Sequence, residues 1–155
     1  ARAGARRERE RAASEARKER AREAKRRRAA GEEARTGRVR TRTAAVAERM
    51  SRAVSQRLYL VQRRDVSRGG EGGGSWESVF AVFGSTGNVY DVTLASRPSC
   101  TCPDAGKGHL CKHHFWVLLR VLRCDSSDEV VWQASLLQSE LARLLGAPSL
   151  AARAL

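Results

Sequence analysis

The stretch that decides the fold of this chain is CTCPDAGKGHLCKH, residues 100–113. It places Cys100 and Cys102 in a C-x-C pair, then a loop of eight residues, then Cys111 and His113 in a C-x-H pair. Three thiolates and one imidazole form a complete ligand set for a tetrahedral zinc ion. Because four protein ligands leave no coordination position open, the stretch predicts one structural Zn²⁺ and no catalytic metal.

The spacing also predicts which local structures carry these side chains. In an extended segment residues i and i+2 point to the same side, so Cys100 and Cys102 can present two thiolates from one strand end. On an ideal helix the same pair would diverge by about 200°. Cys111 and His113 are therefore expected in the turn that enters a helix. The cluster would tie the end of a strand to the start of that helix.

Other interpretations of these residues stay open at this point. His109 or His114 could replace His113 as the fourth ligand, although His114 would point about 100° away from it. A Cys–His nucleophile needs a third, orienting group and a pocket, and the sequence indicates neither. The cysteines could also be ordinary buried residues or form disulfides, but C-x-C is a poor disulfide spacing. Cys124 falls on an apolar helical line, which favours a core position.

The segments on either side of the cluster predict a small α+β domain. Residues 76–83 and 88–94 indicate two strands around the glycine-bearing turn 84–87, and the second strand alternates apolar with polar side chains. Residues 112–124 have apolar side chains at i, i+3, i+4 and i+7, which is typical of an amphipathic helix. A further helix is predicted over residues 129–145.

The part of the chain before the hairpin is less regular. Val46, Met50 and Val54 recur at four-residue spacing, which predicts a short amphipathic helix. Residues 57–62 indicate a strand. The glycine-rich stretch 68–75 is expected to be a flexible linker or a loop tip.

Residues 1–43 form an arm of different composition. It holds 17 Lys and Arg against 7 Asp and Glu, about +10 of the formal net charge of +13. With no large apolar residue before Val39, the arm cannot bury a core, so a solvated helix or disorder is expected. Its arginines could neutralise nucleic-acid phosphates, and Lys25–Arg28 could be a nuclear-localisation patch or merely a solvated charge run. The arm lacks aromatic residues, so base stacking is not indicated.

These observations divide the chain into an arm over residues 1–43, a domain over 44–124 and a helical segment over 125–155. The longest strongly apolar run, Phe115–Leu119, is too short to span a bilayer, so no membrane partner is expected. Without a secretory signal, an intracellular protein, nuclear or cytoplasmic, is the default. The sequence contains no phosphate loop, no carboxylate pair in a plausible cleft and no open metal site that would predict a catalytic centre.

The cluster and its surroundings resemble the SWIM zinc finger, whose pattern is C-x-C-x(n)-C-x-H on a ββα unit. The resemblance begins with Cys100-x-Cys102-Pro-Asp and Lys107-Gly-His-x-Cys111-Lys-His113. It extends to Val82–Tyr90, Pro98-Ser-Cys and Phe115–Leu122, which look like the plant, fungal and algal subset in which SWIM precedes a RING finger. Residues 132–148 are similar to the segment that bridges those two domains. Together the match covers roughly residues 45–148.

The resemblance carries functional expectations. It implies that Cys100, Cys102, Cys111 and His113 are the zinc ligands and that the module binds proteins, with DNA as a second candidate partner. It implies ubiquitin transfer only where a RING is present. This sequence contains no second Cys/His cluster, so ligase activity is expected only of a longer parent protein.

Overall fold

The computed structural model describes residues 2–29, 35, 37–70 and 74–146. The chain divides into two compact units, Ala1–Ala34 and Arg35–Leu155. In the first unit, helix α1 runs over Arg2–Ala29, a length of about 42 Å. Its described side chains are all exposed, and the ion pair Arg6–Glu10, 2.8 Å apart, follows the helical i, i+4 spacing. Residues 2–29 of the arm are helical in the structure.

The second unit is built on a four-stranded antiparallel sheet of order β1-β2-β3-β4, which confirms the predicted α+β class. Strand β1 spans Tyr59–Gly70, β2 Gly74–Phe83, β3 Val89–Leu94 and β4 Ser99–Cys100. The strand predicted over residues 57–62 is too short. Both strands of the first hairpin extend into the glycine-rich stretch 68–75, where Gly70 pairs with Gly74, so its described residues belong to the strands. Residues 71–73 lie outside the described part.

The second unit also contains several short helices. Their bounds are α2 Ala44–Ser55, α3 Pro103–Gly106, α4 Lys112–Trp116, a π-helical turn Val117–Val121, a 3₁₀-helix Glu129–Trp132 and α5 Gln138–Gly146. In α2 the apolar line is Met50 and Ala53, both buried, whereas the predicted Val54 is 43% exposed. No helix in the described ranges is both long and apolar enough to cross a bilayer.

The core lies between one face of the sheet and these helices. The predicted alternation in β3 is confirmed, because Val92 and Leu94 are fully buried while Val89 on the other face is exposed. The same face of β2 contributes Phe80 and Val82. The helical side of the core includes fully buried apolar side chains from α4, the turn after it and α5: Phe115, Val117, Leu118, Leu141 and Leu145. Sheet and helices thus share one core, as the amphipathic patterns require.

Two predicted helices are wrong in their extent. The helix predicted over 112–124 is α-helical only to Trp116 and then widens, with the Leu122 amide donating to the Val117 carbonyl at 2.9 Å. Residues 113–118 are all buried, so this segment packs on more sides than one α-helical face offers. Arg123, with a φ of 59°, then ends the helical path.

The helix predicted over 129–145 is interrupted between Trp132 and Gln138. The fully buried Gln133 accepts a hydrogen bond from the Val39 amide at 2.9 Å and donates one to the Val39 carbonyl at 2.5 Å. The Leu136 amide donates to the Ser96 carbonyl at 2.9 Å. These long-range bonds replace the bonds that a continuous helix would need.

A segment that the sequence grouped with the basic arm contacts this C-terminal region. Arg35 donates to the Ser135 carbonyl at 2.5 Å, and Arg38 makes two bonds to Glu129 at 2.6 and 2.8 Å. The Arg42 guanidinium lies 5.3 Å from the centroid of the Trp132 ring. The described residues between 35 and 42 therefore pack as part of the second unit, whereas α1 belongs to the first.

Candidate metal centre

Two secondary-structure boundaries position the first pair of cysteines. Cys100 ends β4, opposite Val92 of β3. Cys102 follows in extended conformation and begins α3 as its N-cap, its sulfur accepting the Ala105 amide at 3.4 Å. Because Cys100 and Cys102 are both extended, their side chains share one side of the chain, as the C-x-C spacing predicts.

The second pair lies at the start of α4. Cys111 is its N-cap, with φ and ψ of −90° and 168°, and His113 lies in its first turn. The extended backbone at Cys111 removes the divergence that two residues inside a helix would have. The loop between the pairs turns back at Gly108, whose φ of 89° favours glycine. The structure therefore brings together the four residues that the sequence singled out.

The donor atoms are close enough to hold one ion. The three cysteine sulfurs and one ring nitrogen of His113 all lie within 4.8 Å of one another. Sulfur atoms around a tetrahedral zinc lie about 3.8 Å apart, since each Zn–S bond is about 2.3 Å. A contraction of about 1 Å at most would therefore close the cluster around Zn²⁺. Cys102, Cys111 and His113 are buried and Cys100 is half-buried, so little solvent competes for the ion.

The orientation of His113 identifies its ligand nitrogen. Nδ1 lies 4.0 Å from the Cys100 sulfur and faces the cluster. Nε2 is buried on the opposite side of the ring, and no described group bonds to it. The centroid of the His113 ring lies 4.8 Å from that of the Tyr90 ring, and a Cβ placed on Gly84 would lie 3.4 Å from Nε2. Nδ1 is thus the nitrogen offered to a metal, and Gly84 leaves room for the ring.

The pKa values of the three cluster thiols depend on one another and on burial. The interaction with Cys111, followed by burial, raises the pKa of the Cys100 thiol, and burial raises the pKa of Cys102. The pKa of Cys111 is lowered, mainly because the Cys100 thiol hydrogen-bonds to it. Without a cation the cluster would hold one thiolate supported by two protonated thiols. Three thiolates at this separation require a divalent ion to offset their repulsion, and this donor set suits Zn²⁺.

The competing candidates lie elsewhere. His109 is exposed, and in the described part of the chain the only group of three or more metal-binding side chains contains neither His109 nor His114. His114 is buried edge-on against Phe115, with ring centroids 5.5 Å apart, and burial lowers its pKa to about 4. Cys124 packs beside the core, where burial raises its pKa to about 11. All four cysteines are free thiols, so no disulfide competes for them.

Comparison of the chain with protein-family models, curated proteins and solved structures gives no match. The resemblance to the SWIM finger therefore remains a prediction based on the residues quoted above. The geometry shows that four Cys and His side chains lie where they could bind one metal ion.

Proposed function

We propose that this chain is a zinc-binding interaction module of the SWIM type, with Cys100, Cys102, Cys111 and His113 as the ligands of one structural Zn²⁺. The observation that carries the proposal is the convergence of their donor atoms within 4.8 Å, from four positions spread over 14 residues. The order of elements supports the SWIM assignment, since a β-hairpin, β2–β3, precedes the cluster and a helix, α4, follows it, with the short elements β4 and α3 between them.

The metal in this proposal has a structural role. Four protein ligands leave no position for a substrate or a water molecule, so the ion stabilises the junction of β4 with α4. The activity of the module is then the binding of a protein partner. Ubiquitin transfer would come from a RING in a longer parent protein, with the module holding a partner near it.

Metal analysis of the purified full chain tests this proposal. We expect one zinc per chain, and in the cobalt-substituted protein a sulfur-to-cobalt charge-transfer absorption whose intensity corresponds to three thiolates. Cys102→Ser should lower the zinc content and the intensity of the cobalt absorption. His109→Asn, at an exposed position, should change neither quantity. A chain that binds no zinc, or a cobalt spectrum that Cys102→Ser leaves unaltered, would contradict the assignment.

Helix α1 supports a second candidate function, the binding of nucleic acid. It carries 13 Lys and Arg against 5 Asp and Glu, a formal net charge of +8, with its described side chains exposed. Such a surface can neutralise phosphates, and each phosphate contact steepens the fall of log K with log salt by about 0.9. Removal of residues 1–34 should therefore abolish both the affinity for duplex DNA and its salt slope. If both persist, α1 does not bind DNA.

A further inference from the structure

Exposed apolar side chains of the second unit are concentrated on the sheet. Six of the seven large apolar side chains that the described part exposes belong to strands β1–β3, and they are Tyr59, Leu60, Val61, Val66, Phe83 and Val89. Tyr59 pairs with Phe83, and Phe83 with Val89, so these three stand in one row across three strands. The Tyr59 and Phe83 rings are 6.5 Å apart. A contiguous patch of this kind marks an interaction site more often than scattered apolar residues do.

This patch borders an open edge of the sheet. Strand β1 is the terminal strand, so in the described part of the chain no strand pairs with its outer side. Its pairing with β2 shifts at Val61 and again at Val66, which indicates two β-bulges. Proteins usually protect such an edge with charged or bulged residues. Here the bulged residues are themselves valines, 60% and 54% exposed, so they offer apolar contacts along the edge.

The same strand carries positive charge without a counterion. Asp65 forms ion pairs with Arg63 at 2.9 Å and Arg68 at 3.5 Å, and it accepts a hydrogen bond from the Ser78 hydroxyl at 2.6 Å. In the described residues no carboxylate forms an ion pair with Arg57, just before β1, or with Arg64 within it, and both are exposed. An edge with exposed valines and two unpaired guanidinium groups is complementary to apolar and acidic side chains.

We propose that the free edge of β1 is the docking site for an extended acidic–apolar peptide, which adds to the sheet as a fifth strand. Its backbone would bond to the outer edge of β1, its apolar side chains would cover Val61 and Tyr59, and its carboxylates would pair with Arg57 and Arg64. This proposal deepens the interaction role proposed above and rests on it. It does not depend on the metal.

The charge of the edge distinguishes this partner from a second copy of the chain. Edge-to-edge pairing of two β1 strands would bring the arginines of both copies together, and like charges opposite each other oppose pairing. Residues 57–70 contain the arginines Arg57, Arg63, Arg64 and Arg68 and one acidic residue, Asp65. An acidic strand offsets this charge, whereas a second copy adds to it.

The test uses the full zinc-loaded chain and a fluorescein-labelled decapeptide in which glutamate alternates with valine. We expect saturable binding by fluorescence anisotropy, with slower hydrogen exchange in β1 when the peptide is bound. Arg57→Glu with Arg64→Glu should weaken binding by about tenfold, since two exposed ion pairs are lost. The charge-reversed variant should instead prefer a peptide in which lysine alternates with valine. A peptide N-methylated at alternate amides keeps its side chains but loses its strand hydrogen bonds, so it should not bind.

Matched controls separate the edge from general charge effects. Arg17→Glu with Arg20→Glu makes the same charge change on the exposed surface of α1 and should leave peptide binding unaltered. The proposal would be overturned if the acidic peptide did not bind, or if the N-methylated peptide bound equally well. It would also be overturned if charge reversal at Arg57 and Arg64 left the affinity unchanged, or if the chain dimerised through this edge. Zinc content measured on every variant separates the two proposals. Lost peptide binding with one zinc retained overturns only the docking site, and peptide binding by a wild-type chain without zinc overturns only the metal assignment.

Discussion

The sharpest consequence of a single closed metal site is a fixed dependence of stability on free zinc. An ion that binds only the folded chain stabilises it by RT ln(1 + [Zn]/Kd), so each tenfold increase above Kd adds about 1.4 kcal/mol. The described structure contains one suitable group of donors, Cys100, Cys102, Cys111 and His113. For a unit the size of Arg35–Leu155 this increment corresponds to a rise in melting temperature of roughly 5 °C per tenfold.

The assay is thermal unfolding of the full chain in a series of metal buffers that fix free zinc over several decades. Unfolding is followed by near-ultraviolet circular dichroism, because Trp76, Trp116 and Trp132 all belong to the second unit. Cys102→Ser should abolish the rise and behave like a chelator. Cys124→Ala, which changes a cysteine outside the cluster, should lower the melting temperature by a constant amount and leave the slope unchanged.

Three results would refute the reasoning. A melting temperature independent of free zinc would mean that the ion does not contribute to the fold. A slope twice as steep would mean that two ions bind, not one. A slope that survives Cys102→Ser would place the ion elsewhere in the chain.

Other features of the structure give further predictions. Gly84→Ala would place a methyl group 3.3 Å from the Asn88 carbonyl and 3.4 Å from His113 Nε2, so it should cost about 1 kcal/mol and weaken zinc affinity in a chelator competition. Gly106→Ala, which meets no atom within 4 Å, is its control. Gln133→Leu should lower the unfolding free energy by about 1–3 kcal/mol in urea, because it leaves the Val39 amide without its partner. The bond from Ser78 lowers the pKa of Asp65, so this carboxylate stabilises the fold above its unfolded pKa of about 4 and loses that effect at lower pH. Ser78→Ala should reduce this acid-induced loss of stability, measured by urea titration at several pH values.

The sequence was most informative where the chemistry is local. The arrangement of Cys100 and Cys102 follows from the two-residue period of an extended chain, and that of Cys111 from a turn before a helix. The alternation in β3 likewise follows from neighbouring residues, because one face of that strand is buried and the other is exposed. Each of these predictions needs only the residues next to it.

The errors arise where distant residues decide the structure. The apolar periodicity of residues 129–145 predicts one helix, but the bonds of Gln133 to Val39, 94 positions away, interrupt it. The length of β1 depends on its pairing with β2. The glycines of 68–75 are typical of loops, so the sequence does not indicate that the two strands continue there. The sequence did not show that Gly84 leaves room for the His113 ring, because these two residues are distant in the chain. The only signal was the position of Gly84 in the turn before β3.

The widened turn Val117–Val121 has a consequence for how this module can vary through evolution. A chain with one residue fewer in that turn could continue as an ordinary α-helix and would still begin at the cysteine of the C-x-H pair. Because a π-helical turn accommodates one extra residue within the helix, the loss of that residue would leave later positions close to their present directions. A single-codon deletion here would thus preserve both the metal ligands and the path of the polypeptide that follows.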